Sequence, residues 1–289
     1  MNLIKGMRLR IRIVLAAMVL AVAGLLVSVS QIAPAGATTF HAAGDGPKPA
    51  IVLEHGAWAD ASSWAGEIQR LQADGYTVYA PPNPLRGLAN DSATLADFLS
   101  TISGPIVLVG HSYGGMVITN AATGNPNVKA LVYVDAFIPA QGETAFGLTA
   151  AQPGSCVGSA NAFTAAPYPG AAAGDFDTYL KAGPDAPYPG FASCFANGLP
   201  ADQAAVLAAT QRPIAFSSGS ELSGLPAWQT IPSWSLIGTA DHVIPPAEQL
   251  FTSQRAHAHI TKIDAGHLSL ISNPDAVTRV ILAAARAAG

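Results

Sequence analysis

The chain has 289 residues, of which 50% are apolar and only 11% charged, with a formal net charge of −4. That composition supplies a sizeable core and excludes a disordered or fibrous chain. Lysines and arginines occur singly, which leaves no basic stripe for nucleic acid and no polybasic face for anionic lipid.

The first segment carries Lys5, Arg8, Arg10 and Arg12, then an uncharged apolar run from Ile13 to Val29, then the small residues Ala35-Gly36-Ala37. This order is that of an export signal cleaved after about Ala37, in preference to a membrane anchor. Removing residues 1–37 takes away those four positive charges and no negative ones, so the formal charge of −4 becomes −8. The mature chain, residues 38–289, is then expected outside the cell with no stable membrane association.

Ala50-Ile51-Val52-Leu53 reads as a first buried strand, followed at once by Glu54-His55-Gly56-Ala57-Trp58. A helix follows with Trp64, Ile68 and Leu71 on one face, closed by Gly75. Tyr76 to Ala80 reads as a strand stopped by Pro81-Pro82, and a second helix places Leu95, Phe98, Leu99 and Ile102 in phase. Next comes Val107-Leu108-Val109-Gly110-His111-Ser112-Tyr113-Gly114-Gly115, an apolar run ending in Gly-x-Ser-x-Gly and leading into a helix. Strand, sharp turn and helix around such a serine make a nucleophile elbow, with Ser112 exposed at the strand's carboxyl end. Ala130 to Val134 is another continuously apolar strand. Strands apolar on both faces, alternating with amphipathic helices, predict a mostly parallel sheet covered by helices on both sides.

From about Phe137 to Pro226 the rhythm breaks into an Ala-, Gly- and Pro-rich stretch with scattered aromatics, among them Phe146, Phe163, Tyr168, Phe176, Tyr179, Tyr188, Phe191 and Phe195. It holds a tandem echo, Ala166-Pro167-Tyr168-Pro169-Gly170 and Ala186-Pro187-Tyr188-Pro189-Gly190, and one clear helix over Ala201–Thr210. So many aromatics indicate a folded cap walling a pocket above Ser112 in place of a linker. Both echoes lie between Cys156 and Cys194, and in an exported chain an isolated cysteine pair is expected to form a disulfide, with two separate buried thiols as the alternative. The alternating pattern resumes with a strand at Ser233–Ile237, a helix from about Pro246 to Ala256, a strand at Ile260–Ile263 and a last helix with Asn273 as N-cap and Pro274 at N1.

A serine hydroxyl needs a base within hydrogen-bond reach, itself oriented by an acid. Asp241 follows the penultimate strand and His267 follows the last, in the order this architecture requires, and active groups gather at the carboxyl ends of parallel strands. Asp135 also ends a strand and is the competing acid; Asp264 is expected to fix the loop carrying His267. His242 follows Asp241 too closely to act as base, His55 and His111 are read as braces beside turns, and His257 with His259 lacks a third metal ligand nearby. Oxyanion donors are assigned to the backbone N–H groups of Ala57 and Tyr113.

His55-Gly56-Ala57-Trp58, Ser62-Ser63-Trp64, Gly110-His111-Ser112-Tyr113-Gly114-Gly115, Gly238-Thr239-Ala240-Asp241-His242-Val243-Ile244-Pro245 and Gly266-His267 together resemble the α/β-hydrolase superfamily. Within it the chain resembles bacterial esterase-like members related to plant methylesterases and hydroxynitrile lyases. The resemblance implies a cofactor-free, metal-free serine hydrolase with the triad Ser112, Asp241 and His267, acting on a small-molecule ester and having no nucleic-acid partner. Two alternatives stand beside it: lyase or perhydrolase chemistry on the same triad, and a non-catalytic ligand-binding protein. Lyase relatives carry a hydroxyl residue in the oxyanion loop and a lysine facing the substrate, where this chain has Ala57 and, as the one lysine in reach, Lys181.

Overall fold

The computed structural model describes residues 48–289. The export signal expected over residues 1–37 lies outside them. The described chain runs β1 (Ala50–Glu54), α1 (Ala65–Ala73), β2 (Val78–Tyr79), α2 (Leu88–Ser100), β3 (Ile106–His111), α3 (Gly114–Ala121) and β4 (Val128–Val134). After α4 (Ala145–Ala151), β5 (Phe163–Ala166), β6 (Asp177–Leu180), α5 (Phe191–Cys194), α6 (Ala201–Ala209) and β7 (Ile214–Ala215), it continues as β8 (Ser233–Gly238), α7 (Pro246–Arg255), β9 (His259–Ile263), α8 (Ser269–Ser272) and α9 (Pro274–Ala288).

Six strands form one sheet in the order β2-β1-β3-β4-β8-β9, and every neighbouring pair is parallel. Strands β3 and β8 are buried along their whole length, and β4 at every residue but Lys129, because both faces meet helices, which is why β3 reads Ile-Val-Leu-Val without polar alternation. The edges differ. Strand β2 keeps only two of the five residues expected, since Pro81 and Pro82 lack the N–H a ladder needs. At the other edge β9 is mostly exposed and carries Lys262, which blunts it against further pairing.

Helix α1 differs from its expected face. Trp64 and Leu71 are fully buried, but Glu67 shares their stripe and Ile68 flanks it. Neither Glu67 carboxylate oxygen has a hydrogen-bond partner, and burial pushes the carboxyl up to about 9. Below the ordinary carboxylate range both folded and unfolded chains hold the proton. Between there and the folded value only the folded chain does, so its stability falls as pH rises across that window. Taking the proton up at pH 7 costs about 3 kcal/mol at 1.36 kcal/mol per unit. Glu67→Met is therefore expected to raise the melting temperature at pH 7 and above, and to flatten the fall in stability that the parent shows between pH 5 and 8.5. Equal pH slopes for the two proteins would refute this account of Glu67.

At α9, Pro274 takes the first helical position as expected, but the Asn273 side chain bonds Ser272 Oγ and not the helix N–H groups. The fully buried face of this helix, Val277, Ile281 and Ala284, lies where the three-to-four spacing puts it.

The stretch between β4 and β8 folds around a second sheet, β5-β6-β7, with antiparallel pairs. These short strands escape a periodicity reading because none exceeds four residues. Cys156 and Cys194 are joined in a disulfide, their Cα atoms 5.8 Å apart. The two echoed Pro-Tyr-Pro-Gly copies do different work. Tyr168 donates to Asp175 Oδ2 at 2.7 Å beneath the Arg86 guanidinium, whereas Tyr188 is buried and donates to the Lys181 carbonyl at 3.0 Å. The stretch is tied to the main sheet's loops by Arg86 to Asp177 at 2.8 Å, by Trp58 Nε1 to the Thr178 carbonyl at 3.0 Å, and by the Ala215 N–H to the Leu85 carbonyl at 3.0 Å.

Candidate active site

At the end of β3, Ser112 sits at φ 54°, a left-handed conformation that side chains rarely adopt. The tight turn is possible because glycine follows: a Cβ at Gly114 would lie 2.6 Å from the Glu54 carbonyl oxygen. The loop after β1 comes as close from the other side, where a Cβ at Gly56 would stand 2.8 Å from the Ser112 Cβ. That approach brings Ala57 to the same cavity as Ser112 and Tyr113.

The Ser112 hydroxyl lies 2.9 Å from His267 Nε2, and His267 Nδ1 lies 2.8 Å from Asp241 Oδ2. All three residues are buried, with His267 wholly so. Asp241 accepts from the Val243 and Ile244 N–H groups on one oxygen and from Gln249 Nε2 on the other. With His267 that makes four N–H donors. They oppose burial, which pushes the carboxyl up, and leave no acceptor position for a proton, so we assign the carboxylate. His267 then carries its hydrogen on Nδ1, and Nε2 is free to accept from Ser112. Burial lowers the imidazole while the adjacent Asp241 carboxylate opposes the fall, leaving it neutral and able to take a proton.

The other candidates fall into supporting places. Asp135, at φ 44°, accepts from the Gly238 N–H at 2.7 Å and from both the N–H and the hydroxyl of Ser269. It thus ties the end of β8 to the segment after His267 and does not touch the imidazole. Asp264, expected to fix that loop, is exposed and makes no side-chain hydrogen bond among the described residues. Asp135 holds the position because it is buried among the backbone donors, whereas Asp264 turns to water. His111 donates Nε2–H to the His267 carbonyl at 2.9 Å, and burial keeps it neutral. His55 accepts from the Asn83 N–H at 3.0 Å, and His242 bonds the Ser193 carbonyl on the surface. Lys181 pairs with Asp185 and is absent from the cavity wall. Among the described residues no cluster of three or more metal-ligating side chains occurs.

Sequence reasoning missed Gln249, one α7 turn inside the acid's loop, and the roof over the base. Phe195, just after α5, stands 5.2 Å from the His267 ring, and the Asn197 carbonyl oxygen would be 2.3 Å from a Cβ at Gly266. Of the eight aromatics singled out in this stretch, only Phe146 and Phe163 line the cavity. Tyr188, Phe191 and Phe195 are its own core, and the further lining rings are Trp58, Tyr113, Phe137 and Phe216.

The cavity above Ser112 holds about 610 Å³ counted to its open mouth. No charged side chain lines it among the described residues. Its polar side chains other than Ser112 are already engaged: Thr149 with the Ala145 carbonyl, Thr178 with the Ile214 carbonyl, and the Tyr113 hydroxyl with Asp91 Oδ2 at 2.9 Å.

A parallel sheet that places a serine elbow, a histidine and an aspartate at three strand ends defines the α/β-hydrolase class. The pattern of the alpha/beta hydrolase family matches residues 51–280, and the chain belongs to that family. It is 34% identical over 111 residues to a carbendazim hydrolyzing esterase of Nocardioides sp. (strain SG-4G), covering 34% of this chain and 46% of that protein. It is 32% identical over 106 residues to a pyrethroid hydrolase of Sphingobium wenxiniae, covering 32% of this chain and 38% of that one. The matched stretches thus span less than half of either relative. Among solved structures, tomato methylketone synthase I complexed with 2-tridecanone superposes with a TM-score of 0.68 at 17% identity, over 84% of this chain and 100% of that one.

Proposed function

We propose that this chain is a serine carboxylic-ester hydrolase acting through an acyl-enzyme on small to medium, neutral, apolar or aryl esters. The observation that carries it is the unbroken relay from Ser112 through His267 to Asp241, at 2.9 and 2.8 Å, opening into an uncharged cavity. In this reading His267 Nε2 takes the Ser112 proton as Oγ attacks the carbonyl carbon. The Ala57 and Tyr113 N–H groups receive the developing oxyanion, and His267 then protonates the leaving alcohol. Water, activated by the same imidazole, releases the acid and restores Ser112. Asp241 stabilises the imidazolium while it exists. Two relatives named for hydrolysing carbendazim and pyrethroids support ester cleavage. The disulfide and the leader-like first 37 residues support export, with residues 38–289 as the mature hydrolase and a cap over about 137–226.

A fluorophosphonate probe tests the reading. The expected result is a mass increase of one probe, mapped to Ser112 and absent from Ser112→Ala. An unlabelled protein, or a label elsewhere, would favour a ligand-binding role. Export is tested by sequencing the N-terminus of protein recovered from the medium, expected at Thr38.

A further inference from the structure

Two cavity rings, Phe146 and Phe216, face the site on one side and water on the other: each is 39% exposed while lining the cavity. Their centroids are 5.0 Å apart. They are held very differently. Phe216 stacks on Phe176 at 4.8 Å, its N–H bonds the Phe176 carbonyl at 2.9 Å, and the next residue, Ser217, gives both its N–H and its hydroxyl to Asp175. The backbone before Phe146 is also fixed, since Glu143 pairs with Arg255 and its carbonyl accepts from the Ser223 N–H. The Phe146 ring itself rests in a notch. A Cβ on Gly219 would lie 2.3 Å from its Cζ and 2.4 Å from its Cε1, closer than real atoms approach. The ring occupies the volume a side chain at 219 would need, and Gly219 lines the same cavity.

We propose that Phe146, seated in the notch left by Gly219, sets the size of ester group the site accepts. With the ring in the notch the cavity runs on past it, so a planar or branched group larger than acetyl fits against its face. Any side chain at 219 evicts the ring, and beside the anchored Phe216 it turns toward the cavity, since turning outward would bare the rest of its apolar face to water. Alanine at 219 costs the fold little: the backbone there is not left-handed, and the three atoms nearest its Cβ all belong to the far end of the Phe146 side chain. This specificity role rests on the esterase reading of the site.

The test measures kcat/KM in two substrate series, one varying the acyl group (p-nitrophenyl acetate, hexanoate and benzoate), the other the alcohol (p-nitrophenyl and 1-naphthyl acetates). In the responding series, Gly219→Ala and Gly219→Val are expected to lower the bulky-to-small ratio by about tenfold or more, a size that one or two misfitting carbons command. Phe146→Ala is expected to raise that ratio by a similar factor, and Phe146→Ala/Gly219→Ala to keep the raised ratio, because nothing is left to evict. Melting temperatures and fluorophosphonate labelling rates check that each variant is folded with a working serine. A purely structural role would scale all substrates together. Ratios within twofold of the parent in both series, in variants that still cleave the acetate, would overturn the proposal. A parent that cleaves no ester in either series would fail at the esterase reading, and the specificity role would fall with it.

Discussion

Ser112→Ala is expected to lower kcat/KM on p-nitrophenyl acetate by roughly 10⁶, because removing the attacking oxygen leaves only the oxyanion donors and binding. Asp241→Asn is expected to lose about 10⁴ with little change in stability. Its amide can face the Val243 and Ile244 N–H groups through oxygen, but then it presents N–H where His267 now donates. The imidazole turns to the wrong tautomer, with hydrogen on Nε2 pointing at Ser112. His267 acts deprotonated, so activity disappears as pH falls through its pKa. Burial lowers that value while the Asp241 carboxylate at 2.8 Å opposes the fall, and the acid limb of kcat/KM is expected below the ordinary imidazole value of about 6.5. An acid limb at or above 6.5 would contradict a desolvated base. Retention of ester cleavage by Ser112→Ala would contradict the mechanism altogether.

Asp135 should show the reverse pattern. Asp135→Ala is expected to destabilise the protein by about 3 kcal/mol, since it strands the buried N–H groups of Gly238 and Ser269, each costing roughly 1–3 kcal/mol unpaired. Burial, reinforced by the nearby Asp241 charge, pushes the Asp135 carboxyl up, and the donors from Gly238 and Ser269 oppose that rise. An asparagine oxygen can keep the Gly238 N–H, its amide nitrogen can donate to a reoriented Ser269 hydroxyl, and asparagine tolerates the left-handed backbone at φ 44°. Asp135→Asn is accordingly expected to stay within about 1 kcal/mol of the parent and within tenfold of its kcat/KM. Chemical denaturation and steady-state kinetics on the three aspartate variants and the parent separate the two roles. If Asp135→Asn lost activity as completely as Asp241→Asn while remaining folded, Asp135 would be the acid.

The two aspartates show how far position along the chain reaches. Both end apolar strands, and position in the chain ranked Asp241 first, because the loop after the penultimate strand is where the acid of this architecture sits. Sequence position did not show that Asp135 would reach across to Ser269, or that Asp264, only three residues from His267, would point to water. Those outcomes depend on which side of the chain meets the sheet. The same holds at α1, where the apolar residues define a stripe but its angle was decided by packing, with Glu67 rather than Ile68 inside.

By itself the sequence determined the alternation of strand and helix, the elbow at Ser112 and the chain order of serine, acid and base. Each of these is written in residues a few positions apart: apolar runs, glycines flanking a turn, a polar residue just past a strand. Only the tertiary structure decided that Gln249 braces the acid, that Phe195 roofs the base, that Phe216 walls the cavity and that Gly219 leaves room for Phe146. These depend on side chains from separate segments meeting in space, and a helical or strand period specifies the face a residue presents without specifying what it will face.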